Sequence, residues 1–174
     1  MMRLKAIFSA LCAVFLMSSC INEDPENAAD LKVGDRIPDF TVQMNDGTSV
    51  SAQQLSQGVS LIMFFHTSCP DCAATLPEVE KVYKAYGQSG VQFALISREE
   101  SADSIARFWE EKGLSLKYSA QATREIYSLF AGSRIPRVYV CYNGVIKAVF
   151  TDNPYFIYKV ITSDFVEIFY NFLF

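Results

Sequence analysis

The chain has 174 residues, 51% of them hydrophobic and 20% charged, which is enough for one domain with a sizeable core. A formal charge of −4 with no basic cluster argues against nucleic acid as a partner. Five cysteines, two of them close together, are too few and too unevenly placed for a disulfide-stapled scaffold.

In chain order, residues 1–19 read as a signal peptide. Arg3 and Lys5 form a short positive region, Ala6 to Met17 an apolar stretch too short to span a bilayer comfortably, and small residues follow. The end of this stretch, "LMSSC", resembles a bacterial lipobox, with Met17 where leucine is usual. The resemblance implies cleavage before Cys20 and lipidation of that cysteine; an ordinary cut near Ser18 is the alternative, and both imply export. A mature chain starting at Cys20 has 155 residues, with 13 basic and 19 acidic. Residues 20–32 are polar, acidic and contain Pro25, so they read as a flexible tether ahead of a domain over 33–174.

Alternation on both sides of Asn45-Asp46-Gly47 predicts a hairpin, and Ser51 a cap for a short helix over "AQQL". Val59 to Phe65, "VSLIMFF", is a continuous apolar run of the kind expected from a strand buried on both faces. Cys72, Leu76, Val79, Tyr83 and Tyr86 recur at helical spacing. A second buried strand follows at Val91 to Ser97. Ser101 caps a helix with Ile105, Phe108 and Trp109 on its core face and Gly113 at its end. A shorter helix carries Ile126, Leu129 and Phe130. Asn143-Gly144 joins "RVYVCY" to "VIKAVF" as a hairpin. After Asn153-Pro154 an amphipathic helix presents Ile161, Phe165, Ile168 and Phe172; its spare aromatics suit a covering helix or a partner surface. This order predicts an α/β domain with a central mixed β-sheet and helices on both faces.

The informative stretch is "FFHTSCPDCAATLP". Pro70 suits the first position of a helix, which makes Cys69 its N-cap. The sulfur then faces unpaired backbone N–H groups and the positive end of the helix dipole, and both favour the thiolate. Cys72, one turn inward, is placed to resolve a mixed disulfide. Asp71 puts a negative charge between the sulfurs and predicts a more reducing pair, unless it is simply a solvated helix-start acid. His66, protonated and close, would push the other way; its alternative is a strand-end residue touching nothing reactive. His66, Cys69 and Cys72 supply three possible metal ligands where structural zinc takes four, so no metal is expected. Pro136, just before a strand, reads by itself as a trans proline, and Cys141 as a small hydrophobe in a buried strand.

Together the apolar strand, C-x-x-C, Pro77 eight residues after Cys69, and Ile135-Pro136 before a late strand resemble the thioredoxin fold. The opening "VGDRIPDFTVQMNDGTSVSAQQL" resembles the N-terminal hairpin of the redoxin branch, which includes peroxiredoxins and the membrane-anchored TlpA/ResA-like thiol-disulfide oxidoreductases. The resemblance implies a thioredoxin-like fold with a hairpin extension, Pro77 kinking the helix, and a cis Pro136 against the cysteines. It makes Ile135 and Pro136 substrate-binding. Arg137, where the family often has threonine, is expected either to select an acidic or otherwise distinctive substrate or to be a solvated strand-start residue. Pro70, Asp71 and His66 stand beside the pair as tuning residues. The family's aromatic residue before the first cysteine and its buried acid six residues before it are replaced by Ser68 and Met63, leaving Glu78 or a water to handle protons. A peroxide site needs threonine where His66 stands.

The expected function is reduction of disulfides in exported proteins by Cys69 and Cys72, with no cofactor beyond that couple. A membrane electron-transfer protein would reset it, and Cys20 would hold it to the membrane, facing the periplasm or cell surface. The alternatives are a disulfide donor, a thiol peroxidase, or a surface lipoprotein that binds a partner without catalysis.

Overall fold

The computed structural model describes residues 30–151. The expected signal peptide, Cys20, the tether up to residue 29 and the aromatic segment after Asn153 lie outside those residues.

Strands β1 (Thr41–Gln43) and β2 (Ser49–Ser51) pair antiparallel, with Val42 opposite Val50. Asp46 closes the turn between them by accepting from the Thr48 N–H at 3.0 Å and its hydroxyl at 2.6 Å. Ser51 caps α1 (Ala52–Leu55), and Gln54 returns the bond to complete a capping box.

The main sheet is built from β3 (Val59–Phe65), β4 (Gln92–Ser97), β5 (Tyr118–Ser119), β6 (Arg137–Tyr142) and β7 (Val145–Phe150). Their order is β5-β4-β3-β6-β7; β3, β4 and β5 are parallel, while β6 and β7 run antiparallel to their neighbours. β3 is therefore the middle strand, and all seven of its residues are buried, as an unbroken apolar run requires. Helices α2 (Pro70–Tyr86) and α3 (Ala102–Lys112) cover Leu61, Met63, Phe65, Val138 and Val140 on one face. The hairpin, α1 and α4 (Glu125–Ser128) cover Ile62, Phe64, Tyr139 and Cys141 on the other.

Within residues 30–151 the predicted elements are present, with refinements. The buried face of α2 is Cys72, Leu76, Val79 and Val82, and Tyr83 and Tyr86 are only partly covered. Pro77 lies inside α2 without ending it. At the β6–β7 turn Asn143 and Gly144 have φ of 50° and 75°, the two positive values a two-residue hairpin loop demands. β5 was not foreseen: it pairs through only two residues, too few to leave a periodic signal. A contact with the domain is already made ahead of the expected start at residue 33. The Leu31 N–H donates to the Phe130 carbonyl at 2.9 Å, so the chain is fastened before Val33.

Candidate active site

The site forms where β3 ends and α2 begins. The Cys69 N–H donates to the His66 carbonyl at 3.0 Å, a tight turn that brings Pro70 to the first helical position. Cys69 is extended (φ −82°, ψ 118°), so its sulfur folds back and accepts from the Cys72 N–H at 3.4 Å. This is the N-cap geometry expected from the sequence, with sulfur in place of the usual oxygen. Cys69 is half-buried, Cys72 is fully buried, and both are free thiols.

The Ile135 carbonyl lies 3.6 Å from Cys69 Sγ, and the Ile135–Pro136 peptide is cis. The reading of Pro136 in isolation is thereby corrected in favour of the one the resemblance implied. Ile135 is half-buried and Pro136 buried, so the exposed edge beside Cys69 is formed by Arg134 and Ile135.

Burial pushes the Cys72 thiol far above its ordinary range. The His66 backbone N–H works against that shift, while Cys69 and the charge on Asp71 add to it. Cys72 is thus held as a thiol. Met63, in the acid's place, is fully buried in the same apolar cluster as Cys72. Glu78, the nominated substitute, pairs with Lys81 at 2.8 Å.

His66 contributes through its backbone to Cys72, and its ring turns elsewhere. Nδ1 accepts from the Ser68 N–H at 3.2 Å, lies 2.9 Å from the Ser68 hydroxyl, and is 3.8 Å from a Glu100 carboxylate oxygen. Glu100 is a residue the sequence did not single out. Its buried carboxylate accepts from the Thr67 N–H at 2.9 Å and from the Thr67 hydroxyl, which ties the loop before Cys69 to the end of β4. In a run reading "SREESAD" nothing separates such an acid from a solvated one.

Arg137 is not part of the exposed edge. It alternates with Tyr139 and Cys141 onto the second face of β6, is 3% exposed, and bonds Asp30 at 2.7 Å and the Ser133 carbonyl at 2.8 Å. The substrate-binding expectation for it is corrected to an internal support. Among the described residues no three His, Cys, Asp or Glu side chains gather closely enough to hold a metal ion.

The AhpC/TSA family model matches residues 33–150. The chain belongs to the AhpC/TSA family. It is similar to the thiol-disulfide oxidoreductase ResA of Oceanobacillus iheyensis, 26% identical over 84% of this chain and 81% of that one. A second ResA, from Halalkalibacterium halodurans, is 27% identical over 48% of each chain, so the match spans about half the length of that relative. The thioredoxin domain of a thiol-disulfide oxidoreductase from Bacteroides vulgatus superposes with a TM-score of 0.66 at 18% identity, covering 78% of this chain and 99% of that one. The fold is therefore thioredoxin-like, with the expected N-terminal hairpin. Within the AhpC/TSA family the residues before Cys69 depart from the peroxide-site pattern. His66 stands at the threonine position, and the Thr67 hydroxyl is committed to Glu100.

Proposed function

We propose that the protein is a thiol-disulfide oxidoreductase whose couple is Cys69 and Cys72. The observation that carries this reading is the placement of Cys69 Sγ. It sits at the N-terminus of a 17-residue helix, 3.4 Å from the Cys72 N–H and 3.6 Å from the Ile135 carbonyl. The helix end presents the Cys72 N–H to that sulfur, and the carbonyl edge offers a backbone for a substrate strand. The Cys69 thiolate attacks one sulfur of a substrate disulfide, forms a mixed disulfide and releases the other sulfur as a thiolate. Cys72 then loses its proton and attacks Cys69 Sγ, and the second substrate sulfur leaves. Two electrons and two protons pass to the substrate, and the Cys69–Cys72 disulfide remains for an external dithiol to reduce.

We read the direction as reductive, because burial and, in the same sense, the charge on Asp71 disfavour a thiolate at Cys72 and thereby a strongly oxidising pair. Exported disulfide proteins as substrates, a membrane reductant, a lipid anchor at Cys20 and a place in the cell envelope complete the proposal. They follow from the N-terminal sequence and the ResA likeness.

The test is the reduction potential of the couple, measured against glutathione buffers with a Cys69→Ser control. A value near thioredoxin's, about −270 mV, supports a reductase, and one near about −120 mV reverses the direction. A pair that never exchanges with thiols sinks the oxidoreductase reading and leaves a binding protein.

A further inference from the structure

The loop from α4 to β6, residues 129–136, carries the edge that faces Cys69, and it is held from beneath. The Tyr127 hydroxyl donates to the Arg134 carbonyl at 2.9 Å, the Tyr139 hydroxyl to the Phe130 carbonyl at 3.1 Å, and Arg137 to the Ser133 carbonyl at 2.8 Å. Arg134 has a φ of 68°, a left-handed conformation that a non-glycine residue keeps only where its surroundings impose it. These props come from the elements flanking the loop.

One more comes from far away in the sequence. Asp30, 102 residues before Gly132, accepts from the Gly132 N–H at 3.0 Å through Oδ1 and from Arg137 at 2.7 Å through Oδ2. Leu31 adds its bond to Phe130 at 2.9 Å. Arg137 is buried, and its Nε has no partner among the described residues. The Asp30 carboxylate is the charge set against that guanidinium, and an unopposed buried charge is costly.

We propose that Asp30 is a positioning residue of the substrate edge: its carboxylate grips the loop through Arg137 and Gly132, and so sets where the Ile135 carbonyl and Pro136 stand relative to Cys69. The segment that leads into the domain is thereby part of the site's scaffold. This inference rests on the oxidoreductase reading above. Asp30 touches no reacting atom and acts only through the loop.

The test uses the full chain and two substrates. Insulin must lay a strand along the edge, whereas hydroxyethyl disulfide needs only Cys69. Asp30→Ala should raise KM for insulin about tenfold, equivalent to about 1.4 kcal/mol, with kcat and the hydroxyethyl disulfide rate held within about twofold. Asp30→Asn keeps an acceptor for Gly132 but loses the charge opposite Arg137, and should fall between. Amide exchange at Gly132 and Ser133 should quicken in Asp30→Ala while β3 stays protected. Unchanged KM and exchange, or equal losses on both substrates, overturn the proposal. If the wild-type chain reduces neither disulfide, the oxidoreductase reading is what fails. Exchange then decides the grip alone, with faster exchange upholding it and unchanged exchange overturning it.

Discussion

Glu80 gives the most direct measure of how α2 is fastened to the rest of the domain. It lies two turns beyond Cys72 with its carboxylate buried. One oxygen accepts from the Ser115 and Leu116 amides at 3.0 Å each, the other from the Ser115 hydroxyl, and Lys84 approaches at 3.2 Å. Ser115 and Leu116 belong to the segment between α3 and β5, so one side chain pins α2 to that crossover. Glu80→Ala orphans the buried Leu116 amide, while water can reach Ser115 at the surface; we expect a loss of about 2 kcal/mol. Glu80→Gln can keep both amides bonded through its carbonyl oxygen, with the Ser115 hydroxyl rotating to accept from the new amide group. It loses charge assistance and the half-exposed Lys84 pair, a cost below about 1 kcal/mol. At about 3 °C per kcal/mol, Tm should fall about 6 °C for Ala and at most about 3 °C for Gln. Urea unfolding with an unchanged m-value separates the two.

The pH dependence has a definite sign. Burial alone would raise the Glu80 carboxyl, but the Ser115 hydroxyl, the Leu116 and Ser115 amides and Lys84 outweigh it and hold it below its ordinary range. The stability it adds is therefore complete above the unfolded pKa and is lost as pH falls through the folded one. The gap between wild type and Glu80→Gln should hold from about pH 8 to about pH 5 and close as the carboxylate protonates below about pH 4. Equal stability of the Ala and Gln variants, or a gap that stays open in acid, would refute the reasoning.

The cysteines support two more predictions. Cys72→Ser keeps the attack and removes the resolution, so it should accumulate a one-to-one mixed disulfide visible by intact mass under non-reducing conditions; Cys69→Ser should accumulate none. Burial pushes the Cys141 thiol up to about 12, with the Ser60 hydroxyl working the other way. At about pH 8 roughly one Cys141 in ten thousand is then thiolate. Iodoacetamide should label Cys69 well before Cys141 in the native chain, and unfolding should erase the difference; early labelling of Cys141 contradicts the buried, inert assignment.

Much of the fold was legible because its signals are local. The "VSLIMFF" run specifies a strand with both faces covered, wherever its neighbours come from. Asn143-Gly144 suits the positive φ values of a tight hairpin, and Ser51 and Ser101 satisfy the first amides of the helices they precede. The cysteine pair was legible for the same reason: Pro70 at a helix start makes Cys69 an N-cap, and the cap geometry follows from the helix itself. The two-residue β5 escaped because two residues carry no period.

What the tertiary structure decided is which polar group meets which. Cys69 reaches the Ile135 carbonyl 66 residues on, and Asp30 reaches Gly132 across 102. No spacing rule spans such separations. Arg137 reads the same in sequence whether it points at a substrate or into the core, and Glu100 reads the same whether solvated or holding Thr67. Hydrophobic periodicity reports how each element is buried, because burial repeats with the geometry of the element. The partner of a buried charge depends on which distant loops the packed layers bring together, and only the assembled sheet with its helices determines that.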